Sequence, residues 1–359
     1  MFLLGGMVAL FACARFLAMI LPRHDGQIGA RSLAYFIPIA SASVIAMLLG
    51  RPEIAVGIVF GSSVGAVTTV VGFIALAGPI EPGPARWRRI WAFGLVAALL
   101  VFVAGFKGTF KWHDAVALLV EGLILLSLWR EEGGDGSARA VTPRSVLDEA
   151  TAGRGVHHDA TVALDYASPG AGEHWTGGRI LALTLELGLV AVLLWLGGWA
   201  VTQGTVRSSG LLRGMSTSGL AGSVVSLSMV LPMMYGSWRL AAGGRGWAPL
   251  TCQVGVVLLN LCALLPLLIL LPYLAAHVPA VAHWAGDAMA WHEGLPKLLI
   301  FPTPVWRIDN VVLIIIGVLL LPVALGKWSL GREEGMVLIA GYFFYLTATI
   351  ASGLDPNLR

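Results

Sequence analysis

The chain repeats one pattern: an apolar run about as long as a bilayer is thick, then a polar break. The runs are 3–21, 30–49, 53–78, 88–106, 113–129, 178–201, 210–236, 247–275, 309–326 and 334–351. A hydrocarbon core of about 30 Å is crossed by a helix of roughly 17–25 residues rising about 1.5 Å each. Inside hydrocarbon a run of this length must satisfy its own backbone N–H and C=O groups, which a helix does. The pattern therefore predicts an all-α integral membrane protein with about ten transmembrane helices. Composition agrees: 57% of residues are hydrophobic and 12% charged, against about 25% charged in soluble domains, and the mean hydropathy is +0.82. These values exclude a soluble enzyme, a nucleic-acid binder and a disordered chain. A net charge of +3 is too small to signal a polyanionic partner.

The first run has no Lys or Arg before Arg15, so it lacks the basic region of a signal peptide and reads as a retained helix. The polar stretch between the fifth and sixth runs carries eight acidic residues over 131–175, against Arg139, Arg144 and Arg154. It reads as a solvated linker with a short helix near 145–152. This divides the chain into a first five-helix half, 1–130, a linker, 131–177, and a second five-helix half, 178–359. With the N-terminus outside, the loops then inside hold 14 Lys and Arg and those outside hold 8. That asymmetry favours both termini outside and a cytoplasmic linker; the cell (inner) membrane is the default expectation. Eight tryptophans, Trp87, Trp91, Trp112, Trp129, Trp175, Trp238, Trp247 and Trp328, fall near helix ends, where the membrane interface holds such rings.

Two halves with an odd number of helices each must be inverted relative to one another. A constant offset supports a repeat: Pro38 and Pro232, Gly50 and Gly244, and Gly61 and Gly255 are each 194 residues apart. Pro38 and Pro232 are expected to break their helices, since proline removes a backbone hydrogen bond and broken membrane helices expose ion-binding carbonyls. The alternative is a simple kink. Cys13, Cys252 and Cys262 lie in apolar runs and read as small buried side chains.

The stretch Pro38-Ile39-Ala40-Ser41-Ala42-Ser43, followed by Gly50-Arg51-Pro52-Glu53-Ile54-Ala55-Val56-Gly57-Ile58-Val59-Phe60-Gly61-Ser62-Ser63, resembles the first alpha-repeat of the sodium/calcium exchanger (cation/calcium antiporter) superfamily. That motif runs T-S-L-P-E, about ten residues, then G-x-x-D-I-A-x-G-N-x-x-G-S-N. Arg86-Trp87-Arg88-Arg89 opening the fourth helix, and Gly331-Arg332-Glu333-Glu334-Gly335 followed by Tyr342-Phe343-Phe344-Tyr345-Leu346, are similar to further family features. The second repeat is fainter, in Leu231-Pro232-Met233, Gly244, Gly255 and Asn260. The resemblance implies two inverted five-helix repeats, with alpha-repeats at about 30–78 and 210–275. It implies a calcium-coordinating glutamate after each proline, hydroxyls and amides completing the calcium and sodium sites, and sliding helices for alternating access.

The chain departs from that pattern at its centre. The glutamate positions are Ile39 and Met233, and the residues before the prolines are Tyr35 and Phe36, and Met229 and Val230. Ser62 keeps the first serine, while its second-repeat partner is Val256; the amide position is Ala66 in the first repeat and Asn260 in the second. Ser62 and Asn260 are thus the ion- or substrate-binding residues the resemblance carries over, and Ile39, Met233, Ala66 and Val256 are degenerate ligand positions. Calcium wants several carboxylates, so ion specificity is expected to be altered or lost, and the identity of any metal is open.

Two acids lie inside apolar runs, Glu121 and Glu186. Intramembrane acids are costly and mark function by default; the alternatives are a protonated acid or a partner such as Arg15 or Arg179. Ser41, Ser43, Thr68, Thr69, Ser226, Ser228, Thr251 and Gln253 either bond to helix backbones or line a neutral polar cavity. His277, His283 and His292, with Asp287 and Glu293, sit in the connection 276–308 at spacings that match no compact metal motif. No phosphate loop, nucleophile elbow or zinc-protease motif occurs, so the chain is not read as an enzyme and calls for no cofactor. The partners expected are the lipid bilayer and a small cation (Na+, Ca2+ or H+), not nucleic acid; oligomeric state is not legible. The function expected is cation antiport of the calcium/sodium type. The alternatives are a transport-inactive scaffold or sensor, or a transporter of another small solute.

Overall fold

The computed structural model describes residues 1–20, 28–80, 85–106, 108–135, 177–211, 216–242, 247–277, 299–300 and 303–352. Ten helical passes account for nearly all of them, six of them long and apolar enough to cross a membrane. In chain order they are α1 (Phe2–Ile20), α2 (Ile28–Leu48), α3 (Pro52–Gly65) continued by α4 (Val71–Ala77), α5 (Ala85–Gly105) and α6 (Trp112–Asp135). Then follow α7 (Gly177–Leu211), α8 (Thr217–Leu220) continued by α9 (Ser226–Ala242), α10 (Trp247–Leu259) continued by α11 (Leu265–His277), α12 (Thr303–Leu319), the short α13 (Leu321–Ala324) and α14 (Arg332–Ser352). Three passes contain a π-helical turn: Ala66–Val70, Ala221–Val225 and Asn260–Leu264.

Local sequence explains the boundaries. Gly50 takes φ 69° after α2, a left-handed conformation that costs glycine nothing. Pro52 then opens α3, where its missing N–H is no loss. Ser216 caps α8 by accepting a hydrogen bond from the Gly219 N–H at 3.0 Å, the usual role of serine at that position.

Two short pairings tie the connections together. Strands β1 (Thr109–Phe110) and β2 (Leu299–Ile300) are antiparallel, and Ile80 bridges Leu330. The first joins the connections before α6 and α12, the second those before α5 and α14. They therefore lie at opposite ends of the bundle, as passes of alternating direction require.

Pass α3–α4 is buried throughout the part that would span a membrane. It crosses the 221–225 turn at very close range: a Cβ on Gly61 would collide with the Gly222 carbonyl oxygen and the Ser226 hydroxyl. Small residues at such crossings let backbones touch, which is how helices pack without a hydrophobic driving force. Around this centre, α1 lies along α7, α12 against α5, and α14 against α4. Large apolar side chains cover the outside, among them Leu4, Val103, Leu123, Leu189, Trp195 and Val337. In water such a surface would be an aggregation hazard; in lipid it is the matching solvent.

Three expectations need correction. Helices α2 and α9 run without interruption through Pro38 and Pro232. These prolines do not break their helices; the irregular turns lie at 66–70, 221–225 and 260–264 instead. The ninth pass begins at Thr303, two turns before the expected 309, so the connection before it is shorter than expected. Glu186 is exposed on the outer face of α7. The short helix expected near 145–152, and the connection bearing His283, Asp287, His292 and Glu293, lie outside the described residues. Among the described residues no group of acids, histidines and cysteines could hold a metal ion.

Candidate functional site: a neutral centre with a buried acid beside it

Ser62 lies in the last turn of α3, one residue past Gly61, and is fully buried, as are Ser63 and Asn260. The Asn260 side-chain amide donates to the Ser62 hydroxyl at 3.2 Å and to the Ser63 hydroxyl at 3.0 Å. Both hydroxyls in turn donate to the Val59 carbonyl, at 3.2 and 2.7 Å. The structure thus brings together the two expected site residues, from opposite halves of the chain, and adds Ser63. Asn260 opens the 260–264 π-helical turn, and the Asn260 side-chain oxygen has no hydrogen-bond partner.

The rest of the expected centre is apolar. Ile39, Met233, Ala66 and Val256 are all 0% exposed, Pro38 and Pro232 are buried beside two of them, and Tyr35 is 8% exposed with its hydroxyl against Gly236. A calcium ion takes about 6–8 oxygens, several of them carboxylate. The Ser62, Ser63 and Asn260 cluster offers no negative charge, and its serine hydroxyls are engaged with Val59.

Most other polar residues of the centre bond to helix backbones. Thr68 donates to Val64, Ser223 to Gly219, Ser228 to Val225 and Thr251 to Trp247. Ser226 reaches across to the Gly57 carbonyl at 3.3 Å, Ser41 to the Leu194 carbonyl at 3.2 Å, and Gln253 donates to Ser237 at 2.9 Å. Ser43 and Thr69 keep unpartnered hydroxyls.

Two buried acids remain. Glu121, on α6, is 5% exposed, and neither side-chain oxygen has a hydrogen-bond partner; it lies beside Cys262 of the 260–264 turn. Arg15 does not pair with it: its guanidinium stacks 4.3 Å from the centre of the Tyr235 ring. Asp309, on α12, is 0% exposed, and both its carboxylate oxygens are likewise unpartnered. The Tyr345 hydroxyl stands next to it, close enough to interact but outside hydrogen-bonding geometry. Sequence reading missed Asp309 by starting the helix at that residue. The signal was present in Thr303-Pro304, an N-cap residue followed by proline in the first turn, which moves the helix start back and puts Asp309 inside.

Residues 33–129 match the family model described as sodium/calcium exchanger protein. Among solved structures, an H+/Ca2+ exchanger, CAX, is similar at 14% identity and a TM-score of 0.64, covering 98% of this chain and 82% of that one. The sodium-calcium exchanger NCX_Mj is similar at 17% identity and 0.55, covering 97% of each chain. YfkE is similar at 12% identity and 0.63, covering 96% of this chain and 91% of that one. At such identities the structural likeness is one of fold. Among curated proteins none matches significantly. The fold and its apolar exterior define a multi-pass integral membrane protein with the fold of these exchangers. Over residues 33–129 the chain is similar to the sodium/calcium exchanger family, and its fold is the one these exchangers share.

Proposed function

We propose that this protein is a secondary transporter, a cation antiporter that keeps the exchanger scaffold and has lost calcium coordination at its centre. The observation that carries this reading is the neutral cluster of Ser62, Ser63 and Asn260, together with fully buried Ile39 and Met233 at the positions where the family has glutamates. The scaffold reads as two inverted halves, 1–130 and 178–359, around the 131–177 linker. In support, the turns Ala66–Val70 and Asn260–Leu264 start 194 residues apart, the spacing that also separates Pro38 from Pro232. We take the termini as outside and the linker as cytoplasmic, from the Lys and Arg distribution.

The test is flux in sealed vesicles. Sodium-loaded proteoliposomes should take up no more labelled calcium than empty vesicles, and an imposed gradient of Na+ or K+ should change the internal pH. Calcium uptake well above empty vesicles overturns the altered specificity. Absence of any cation-driven flux favours the second reading, a transport-inactive scaffold or sensor, which the apolar filling of both glutamate positions also supports.

A further inference from the structure

Asp309 is a buried carboxylate on α12, a helix that packs against α3, α5 and α14. It is 0% exposed, both its oxygens lack hydrogen bonds, and no Lys, Arg or His pairs with it among the described residues. An unpaired carboxylate in such surroundings is costly and is relieved by taking up one positive charge.

Its surroundings favour a proton over a metal ion. A divalent cation needs more oxygens and more negative charge than one carboxylate with neutral hydroxyls supplies. A proton needs only one lone pair: an O–H bond forms at one Asp309 oxygen and the group becomes neutral.

The neighbours lead away from it toward the centre of the fold. On α14, Tyr342 and Tyr345 are each 1% exposed and point inward, while Phe343 and Phe344 between them are 63% and 78% exposed. The two tyrosine rings lie 5.7 Å apart, and neither hydroxyl has a hydrogen bond, although buried tyrosine hydroxyls usually find a partner. The Tyr342 hydroxyl is 3.4 Å from where a Cβ on Gly65 would be, and that of Tyr345 is 4.0 Å from the same point on Gly222. Gly65 ends α3 and Gly222 belongs to the 221–225 turn, the two segments that cross.

Among the described residues, the titratable side chains beside Asp309 are these two tyrosines. The charged residues of the other elements packed on α12 stand at helix starts: Glu53 on α3, Arg86, Arg88 and Arg89 on α5, and Arg332, Glu333 and Glu334 on α14.

We propose that Asp309 is an exchangeable proton-binding site, connected by the Tyr345 and Tyr342 hydroxyls to the crossing of α3 with the 221–225 turn. Its part in transport rests on the antiporter reading; the binding of the proton does not.

The experiment is infrared difference spectroscopy of the purified protein in lipid as pH is raised. The carbonyl stretch of a protonated carboxyl group should be present, should disappear on alkalinisation, should persist in Glu121→Gln and should be absent from Asp309→Asn. Asp309→Glu should keep a shifted band, which separates loss of the carboxyl from loss of the fold. Tyr345→Phe should change the pH at which the band is lost. A band unchanged in Asp309→Asn, or an Asp309 carboxyl that never discharges at any pH the protein survives, overturns the proposal. If the band behaves as expected but vesicles show no proton flux, the proton site stands and the antiporter reading fails.

Discussion

Asn260 donates its side-chain amide to Ser63 across a sequence separation of 197 residues, at 3.0 Å, and so pins the 260–264 turn to the end of α3. The two serine hydroxyls keep their bonds to the Val59 carbonyl whatever happens to Asn260. Asn260→Ala therefore removes two neutral hydrogen bonds and also an unpartnered buried oxygen. The net cost is expected near the low end for such bonds, about 1 kcal/mol, read as a modestly lower melting temperature in detergent. A loss several times larger would mean that the amide organises more than these two hydroxyls.

Restoring carboxylates should restore divalent binding. In Ile39→Glu/Met233→Glu, two charges enter a site now fully apolar at those positions, so the variant should be less stable than the parent without metal. Added calcium should raise its melting temperature, because a ligand that binds the folded state stabilises it by mass action. The parent should show no such shift. Equal behaviour of the two proteins would show that more than the missing glutamates separates this centre from a calcium site.

The helix crossing should tolerate no added carbon. A Cβ at Gly61 would meet the Gly222 backbone and the Ser226 side chain, and backbone cannot swing aside as a long side chain can. Gly61→Ala is expected to destabilise by about 1–3 kcal/mol or more, as overpacking does. At Gly188, on the outer face of α7, a Cβ would meet nothing within 4 Å. Gly188→Ala should be neutral or slightly stabilising, since alanine is the better helix former. Thermal melts of the two variants side by side decide this.

Glu121 and Glu186 should respond differently to the same change. Glu121 is buried with neither oxygen bonded, so Glu121→Gln removes a group that can be charged only at a cost; stability should be unchanged or higher. Glu186→Gln alters a residue on the exposed face of α7 and should change neither melting temperature nor flux. If Glu121→Gln instead abolishes cation-driven flux with the fold intact, the acid beside Cys262 takes part in transport.

Much of the scaffold was legible because its causes are local. Run length and hydropathy marked the apolar helices and their order, and the residues around Pro38 and Gly61 carried the resemblance to the exchanger family. The same stretch also showed Ile39 where a glutamate was expected. Proline misled, because Pro38 and Pro232 sit in continuous helices and the geometric irregularity falls on the π-helical turns. Ala66–Val70 carries no residue that marks such a turn.

The sequence by itself determined that this chain is a multi-pass membrane protein and that its centre has no carboxylate at the expected ligand positions. These follow from side-chain chemistry summed along short segments. Only the tertiary structure decided which polar groups share a site. Glu121 and Glu186 look alike in sequence, yet one is buried against the 260–264 turn and the other faces outward. Asp309 stood at the edge of an apolar run and proved fully buried beside Tyr345. Burial and partnership depend on which helices pack together, and that is fixed by contacts between residues far apart in the chain.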